Sequence, residues 1–493
     1  MKTSRVTSSV AIFATVALPI LTQLSCANTQ ASDVVAERQR AVEGGLLPGV
    51  VVAGEAVPKY TIAARMEHYR VPAISVAVVN DGKVEWARGY GVKRVGSTDS
   101  VTTSTRFQAA SISKPVAATA ALRLVEEGRL DLDANVNDQL KSWRVPDNAL
   151  TAKQPVTLRE ILSHTAGLTV HGFPGYAPGD TVPSAVAVLD GKGNTDPVRV
   201  DIVPGTKWRY SGGGYTVAQV LVGDVTGEPF ATAMKRLVLD PLGMTQSTYV
   251  QPLLAQLADS AAVAYRSDGK QVEGQWHTYP EQAAAGLWTT PTDLARFALG
   301  IRASYLGEEG AALKQATARE MLTERMGGYG LGVAVEGSGD SLRFSHGGAN
   351  EGYRAFFVLY PATGDGVAVM TNSDAGAALY MEVVRAVARV YGWPDFKPET
   401  RTVVQVAPNV LEAYVGDYVL DQDFVISVTQ ESGQLFASYP GQPKARLLAE
   451  SETQFFPEGS QLRLTFARNA DGRVTHLTVH SGDQELEAKR REG

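Results

Sequence analysis

A chain of 493 residues with 44% hydrophobic and 20% charged side chains has the size and balance of a globular protein with two or three domains and a large core. A net charge of −6 and the lack of any long basic run argue against nucleic acid as the main partner, because phosphate binding needs clustered Lys and Arg.

Residues 1–27 have the order of a secretory signal: Lys2 and Arg5, then the apolar run Val10–Leu21, then the small residues Ser25-Cys26-Ala27. The run is too short and interrupted for a membrane span. Export is therefore expected, to the periplasm or medium. Cys26 is the only cysteine. Gln23 stands three residues before it, where lipoprotein signals carry Leu, so simple cleavage ranks ahead of lipidation. Membrane attachment would require a lipid on Cys26. Cleavage after it removes disulfides, thiol catalysis and cysteine zinc sites from the mature protein.

Residues 28–59 read as a loosely packed lead-in. "AARMEHYR" is the end of a helix, and Asn80-Asp81-Gly82 joins two strands in a hairpin. The apolar helix after Phe107 runs to a Gly128 cap. Residues 157–168 read as a helix ending in Gly. The Gly, Pro and Asp-rich stretch 172–207 covers a cleft or forms an irregular surface loop. Helices are predicted at 212–227, 289–301 and 379–393, and three antiparallel strands within 329–372. The pattern is α+β: an antiparallel sheet flanked by helices, with an all-helical subdomain. A Pro-rich and charged linker follows at 396–408. Short, evenly spaced strands then fill 409–493, an all-β barrel or sandwich.

Ser111 and Lys114 share one helix face. A serine is a poor nucleophile until a base takes its proton, and a buried lysine loses its preference for the charged form. A helix start adds an unpaired N–H and a positive dipole end for a developing oxyanion. By itself the pair is more often a helix cap beside a solvated lysine. Ser113 points to another face. Tyr210 in "RYSGGGY" is either a proton relay or a packed aromatic beside a turn. His346-Gly347-Gly348 lies in a strand pattern, where Gly marks close approach of a backbone or ligand. His164 and His171 read as structural or loop residues. G-x-S-x-G and H-E-x-x-H are absent from the sequence, so an α/β-hydrolase elbow and a zincin site are unsupported.

"FQAASISK", "VTLREILSHTAGL", "YSGGGYTVAQ", "AAAGLWTTPTDLARFA" and "FSHGGANEGYRAFFVLYP" stand in one order across residues 60–395. In that combination the chain resembles the serine β-lactamase and penicillin-binding-protein superfamily, in its class C β-lactamase, DD-peptidase and esterase branch. Residues 409–493 resemble the lipocalin-like barrel that often follows this domain. The resemblance implies Ser111 as acylated nucleophile, Lys114 and Tyr210 as general acid-base groups, and an oxyanion hole from the N–H groups of Ser111 and Ala349. It implies a substrate wall from Gly212, His346, Gly347 and Gly348, with no cofactor and no metal. Two positions depart from the lactamase pattern. Gly212 stands where an Asn holds the substrate amide, and His346 where a Lys favours its carboxylate. The reading is a serine hydrolase of esters or small amides and peptides. DD-peptidase, D-aminopeptidase or weak β-lactamase activity is the alternative, and a non-catalytic penicillin- or muropeptide-binding protein a further one. Oligomeric state is unspecified.

Overall fold

The computed structural model describes residues 1, 3, 32–420, 424–440, 444–482 and 484–491. The expected signal cleavage region and Cys26 lie outside the described residues. Helix α1 (32–43) opens the described chain, followed by the short strand β1 (Val50–Val52). The expected loose lead-in is in fact packed: Val42, Leu46, Leu47 and Val50 are buried, because β1 pairs in parallel with a strand beyond the main sheet, β8 (Glu399–Arg401).

Helix α2 (Ile62–Tyr69) starts at Thr61, whose hydroxyl accepts from the Ala64 N–H at 3.1 Å. Strands β2 (Ala73–Asn80) and β3 (Lys83–Gly91) follow. Their two-residue turn has φ of 50° at Asp81 and 71° at Gly82, the left-handed pair that matches strand twist. The sheet is completed by β4 (Ala334–Glu336), β5 (Arg343–Asn350), β6 (Tyr353–Tyr360) and β7 (Asp365–Thr371). Its order is β3-β2-β7-β6-β5-β4, antiparallel throughout. Where three strands were predicted in 329–372 there are four from 334 onward. The long "FSHGG…LYP" stretch breaks at Glu351-Gly352, with Gly352 at φ 74°.

Both sheet faces are buried, so β2 is apolar almost throughout. Ala73, Ala77 and Val79 join Phe357, Ala368 and Met370 in one core. Ile74, Val76 and Val78 join Val358, Val367 and Val369 in the other. Helix α7 (Pro291–Leu306) covers the first face. Helix α8 (Gly376–Tyr391) covers the second through Leu379, Val383, Val384 and Val387. The helical part between β3 and β4 belongs to the first core. It contains α3 (Ser113–Glu126), α4 (Leu158–Leu162), α5 (Gly212–Thr226) and α6 (Gln282–Ala285). Helix α4 is shorter than predicted: after its capping box at Thr157 and Glu160 the chain turns at His164, φ 60°.

The C-terminal unit is a closed barrel of eight strands from Gly416–Val419 to Gln484–Arg490. It rests on the α8 side. Gly49 N–H donates to the Gly459 carbonyl at 2.8 Å. Arg401, with 2% of its side chain exposed, donates to the carbonyls of Gln461 at 2.9 Å and Leu462 at 3.1 Å. The turn that carries Ser111 packs in the first core, on the opposite face of the sheet.

Candidate active site

Ser111 lies in a single turn, Ala110–Ile112, immediately before α3. Ala110 has φ 51°, a left-handed conformation that costs a non-glycine residue about 1–2 kcal/mol. Strand β5 presses against this turn. A Cβ at Gly348 would stand 2.1 Å from the Ala109 carbonyl oxygen, so glycine is required there by backbone approach. Gly347 is different: a Cβ there would meet nothing closer than 3.9 Å, and the residue is exposed, as is Ala349.

Lys114 is 2% exposed. Its Nζ is 2.9 Å from Ser111 Oγ and donates to the Ala284 carbonyl at 2.8 Å. Burial pulls its pKa down to about 7, so a large fraction is a neutral amine at neutral pH, able to accept the Ser111 proton. Its other neighbours are rings: Nζ lies 4.8 Å from the centre of Tyr210 and 5.9 Å from that of Tyr215. Ser113 is engaged elsewhere, donating to the Ala110 carbonyl at 2.6 Å and accepting from Leu287 N–H at 2.9 Å.

Tyr210 is hydrogen-bonded to Ser111, and burial raises its pKa more than that bond lowers it. It is a neutral phenol, not an activated phenolate. Three imidazoles surround its ring, at 4.2 Å for His164, 4.9 Å for His171 and 6.4 Å for His346. His164 Nδ1 accepts the Ser211 N–H at 3.1 Å, which places the ring proton on Nε2. The structural reading of His164 thus takes the form of an acceptor for a backbone N–H at the start of α5. Its Nε2 has no partner among the described residues, and burial with the Lys114 charge holds its pKa well below normal. His346 Nδ1 stands 2.6 Å from the Gly347 carbonyl and Nε2 2.7 Å from the Tyr329 hydroxyl. With Nδ1–H donating and Nε2 accepting, the ring is neutral. Burial, then Lys114, pulls its pKa down to about 3. It offers no cation to a substrate carboxylate.

The structure therefore brings Ser111, Lys114, Tyr210 and His346 together, with Gly348 behind the Ser111 turn and Gly212 at the start of α5. Ala284 and Tyr329 are neighbours of the site that the sequence did not single out, and His171, read from the sequence as a structural or loop residue, packs against Tyr210. Ala284 is signalled only by the "AAAGLW" run, and Tyr329 only by its place beside glycines. Among the described residues, no group of three or more His, Cys, Asp or Glu is placed to hold a metal ion.

Glu281, just before α6, is fully buried, and neither carboxylate oxygen has a partner among the described residues. Burial raises its pKa to about 7. A carboxyl that holds its proton more tightly when folded loses stability as pH rises from 4.5 through 7. Glu281→Gln is expected to raise stability at pH 8 by about 1–3 kcal/mol. Thermal melts should show that gain vanishing below pH 4.5.

A serine hydroxyl, a buried amine and a phenol thus meet between an antiparallel sheet and a helical subdomain. The family model for beta-lactamase matches residues 59–390, and a domain of unknown function, DUF3471, matches residues 400–492. The chain belongs to the beta-lactamase family, and it is a serine hydrolase of that family. Penicillin-binding protein 4* of Bacillus subtilis is 23% identical over 83% of this chain and 93% of its own. Esterase EstB of Burkholderia gladioli is 31% identical over 38% of this chain and 49% of its own. The octameric penicillin-binding protein homologue from Pyrococcus abyssi superposes with a TM-score of 0.60 at 21% identity, over 86% of this chain and 98% of that one.

Proposed function

We propose that the protein hydrolyses carboxylic esters, and small amides or peptides, through an acyl-enzyme on Ser111. Neutral Lys114 takes the hydroxyl proton, and Ser111 Oγ attacks the substrate carbonyl carbon. The N–H groups of Ser111 and Ala349 receive the oxyanion. Lys114 and the Tyr210 phenol relay the proton to the leaving alkoxide or amine. Water then attacks the acyl carbon, its proton returning through the same pair, and Ser111 Oγ leaves. The observation that carries this reading is the buried Lys114 Nζ, 2.9 Å from Ser111 Oγ, which forms no ion pair with a carboxylate among the described residues.

Esters rank first because Gly212 and neutral His346 offer no amide or carboxylate recognition, and an esterase is among the relatives. The penicillin-binding relative, which spans most of the chain, favours D-aminoacyl amides as the second reading. Export through residues 1–27 is part of the proposal. The test is a screen of purified protein on p-nitrophenyl esters, D-aminoacyl amides and a cephalosporin. Turnover of esters above the others supports the first reading. Turnover of D-aminoacyl amides above esters supports the second, and binding without turnover of any overturns both.

A further inference from the structure

The start of α5 has three glycines, Gly212 to Gly214, where one would suffice for a turn. The segment 168–175 packs directly on them. Ser211 Oγ donates to the Thr169 carbonyl at 2.8 Å. Gly212 N–H donates to the His171 carbonyl and Gly213 N–H to the Val170 carbonyl, each at 3.0 Å. These are N–H groups that a helix start leaves without intrahelical acceptors. Val170 takes φ 62° to make the turn. The far side is also held, because the Pro174 carbonyl accepts from the Tyr279 hydroxyl at 3.4 Å and lies 3.0 Å from His277 Nδ1. Phe173 is thus fixed between two anchors and packs against the main core.

A Cβ built on Gly212 would stand 2.9 Å from Phe173 Cε2 and 3.0 Å from the His171 carbonyl oxygen. Any side chain at 212 would collide with the phenyl ring and the backbone beneath it. The same segment reaches the nucleophile's surroundings, since the exposed His171 ring lies 4.9 Å from that of Tyr210.

We infer that Phe173 determines which acyl groups reach Ser111. It fills the space above Gly212 and presents an apolar, rigid surface on the segment whose His171 flanks Tyr210. The site then accepts compact, unbranched apolar acyl groups and excludes bulky or amide-bearing ones, for which it has neither volume nor a hydrogen-bonding side chain. This rests on the acyl-enzyme reading, and the test separates the two.

The probes are p-nitrophenyl acetate, butyrate and pivalate, hydrolysed by full-length wild type, Phe173→Ala, Phe173→Leu and Ser111→Ala. Phe173→Ala is expected to raise kcat/KM for pivalate relative to acetate by on the order of tenfold, the scale of a reshaped apolar pocket. Phe173→Leu, which keeps most of the bulk, should fall between wild type and Phe173→Ala. Acetate hydrolysis should stay within about threefold of wild type in both, because no group of the proton relay has changed. An unchanged pivalate-to-acetate ratio in both variants overturns the inference, as does an equal loss on all three esters. If Ser111→Ala keeps hydrolysing the esters, the acyl-enzyme reading fails instead.

Discussion

Ser111→Ala is expected to lower kcat/KM for p-nitrophenyl acetate by on the order of 10⁴-fold or more, the scale of losing a catalytic nucleophile. The size follows from the geometry. Lys114 would still be buried beside Tyr210, but no atom would remain to carry the acyl group. Ser113, the neighbour best placed in sequence to substitute, is held by Ala110 and Leu287. Residual hydrolysis would reflect oxyanion donors acting on water. The change removes one half-buried hydroxyl that contacts Lys114 and Tyr210, a loss of about 1 kcal/mol, so melting temperature should move little. Initial-rate kinetics beside a thermal melt would check both statements, and retained activity would refute the assignment.

Lys114→Met is expected to disable the enzyme and stabilise it. A lysine whose folded pKa lies near 7 against 10.5 unfolded binds its proton more weakly when folded. Stability therefore rises with pH between 7 and 10.5, and the penalty is greatest below pH 7. That penalty is up to about 4 kcal/mol at neutral pH. Methionine removes it but leaves the Ala284 carbonyl without its 2.8 Å donor, a loss of about 1–2 kcal/mol. The net gain should be about 1–3 kcal/mol at pH 7, shrinking toward pH 10. Denaturant melts at pH 6.5, 8 and 9.5 would show the trend, and a variant destabilised at every pH would contradict it. In the wild type, kcat/KM should climb about tenfold per pH unit below 7 and level above it. Tyr210 and His346, displaced upward and downward respectively, do not titrate in that window.

What was legible in the sequence is what local physics dictates. Asn80-Asp81-Gly82 announced the hairpin because only such residues take two successive positive φ values readily. Ser111 and Lys114 announced themselves by helical spacing, and 212–227 by a glycine start and a Gly227 cap. What was not legible depends on contacts distant in sequence. Ala284 is 170 residues from the lysine it bonds, and Tyr329 is 17 from the histidine whose Nε2 it meets. The packing of Phe173 on Gly212 depends on both ends of an irregular segment. Helix α4 stopped early for a backbone reason at His164 that propensity does not reveal. The lead-in looked loose because its partner strand β8 stands nearly 350 residues later, between residues 399 and 401.

In the proposed reaction Ser111 Oγ carries the acyl group and Lys114 activates it. Intact-protein mass spectrometry after brief treatment with a fluorophosphonate tests it most directly, followed by peptide mapping. One adduct per chain is predicted, on the peptide containing Ser111. It should form more slowly in Lys114→Met and be absent in Ser111→Ala. An adduct on another residue, or full labelling of Ser111→Ala, would contradict the claim.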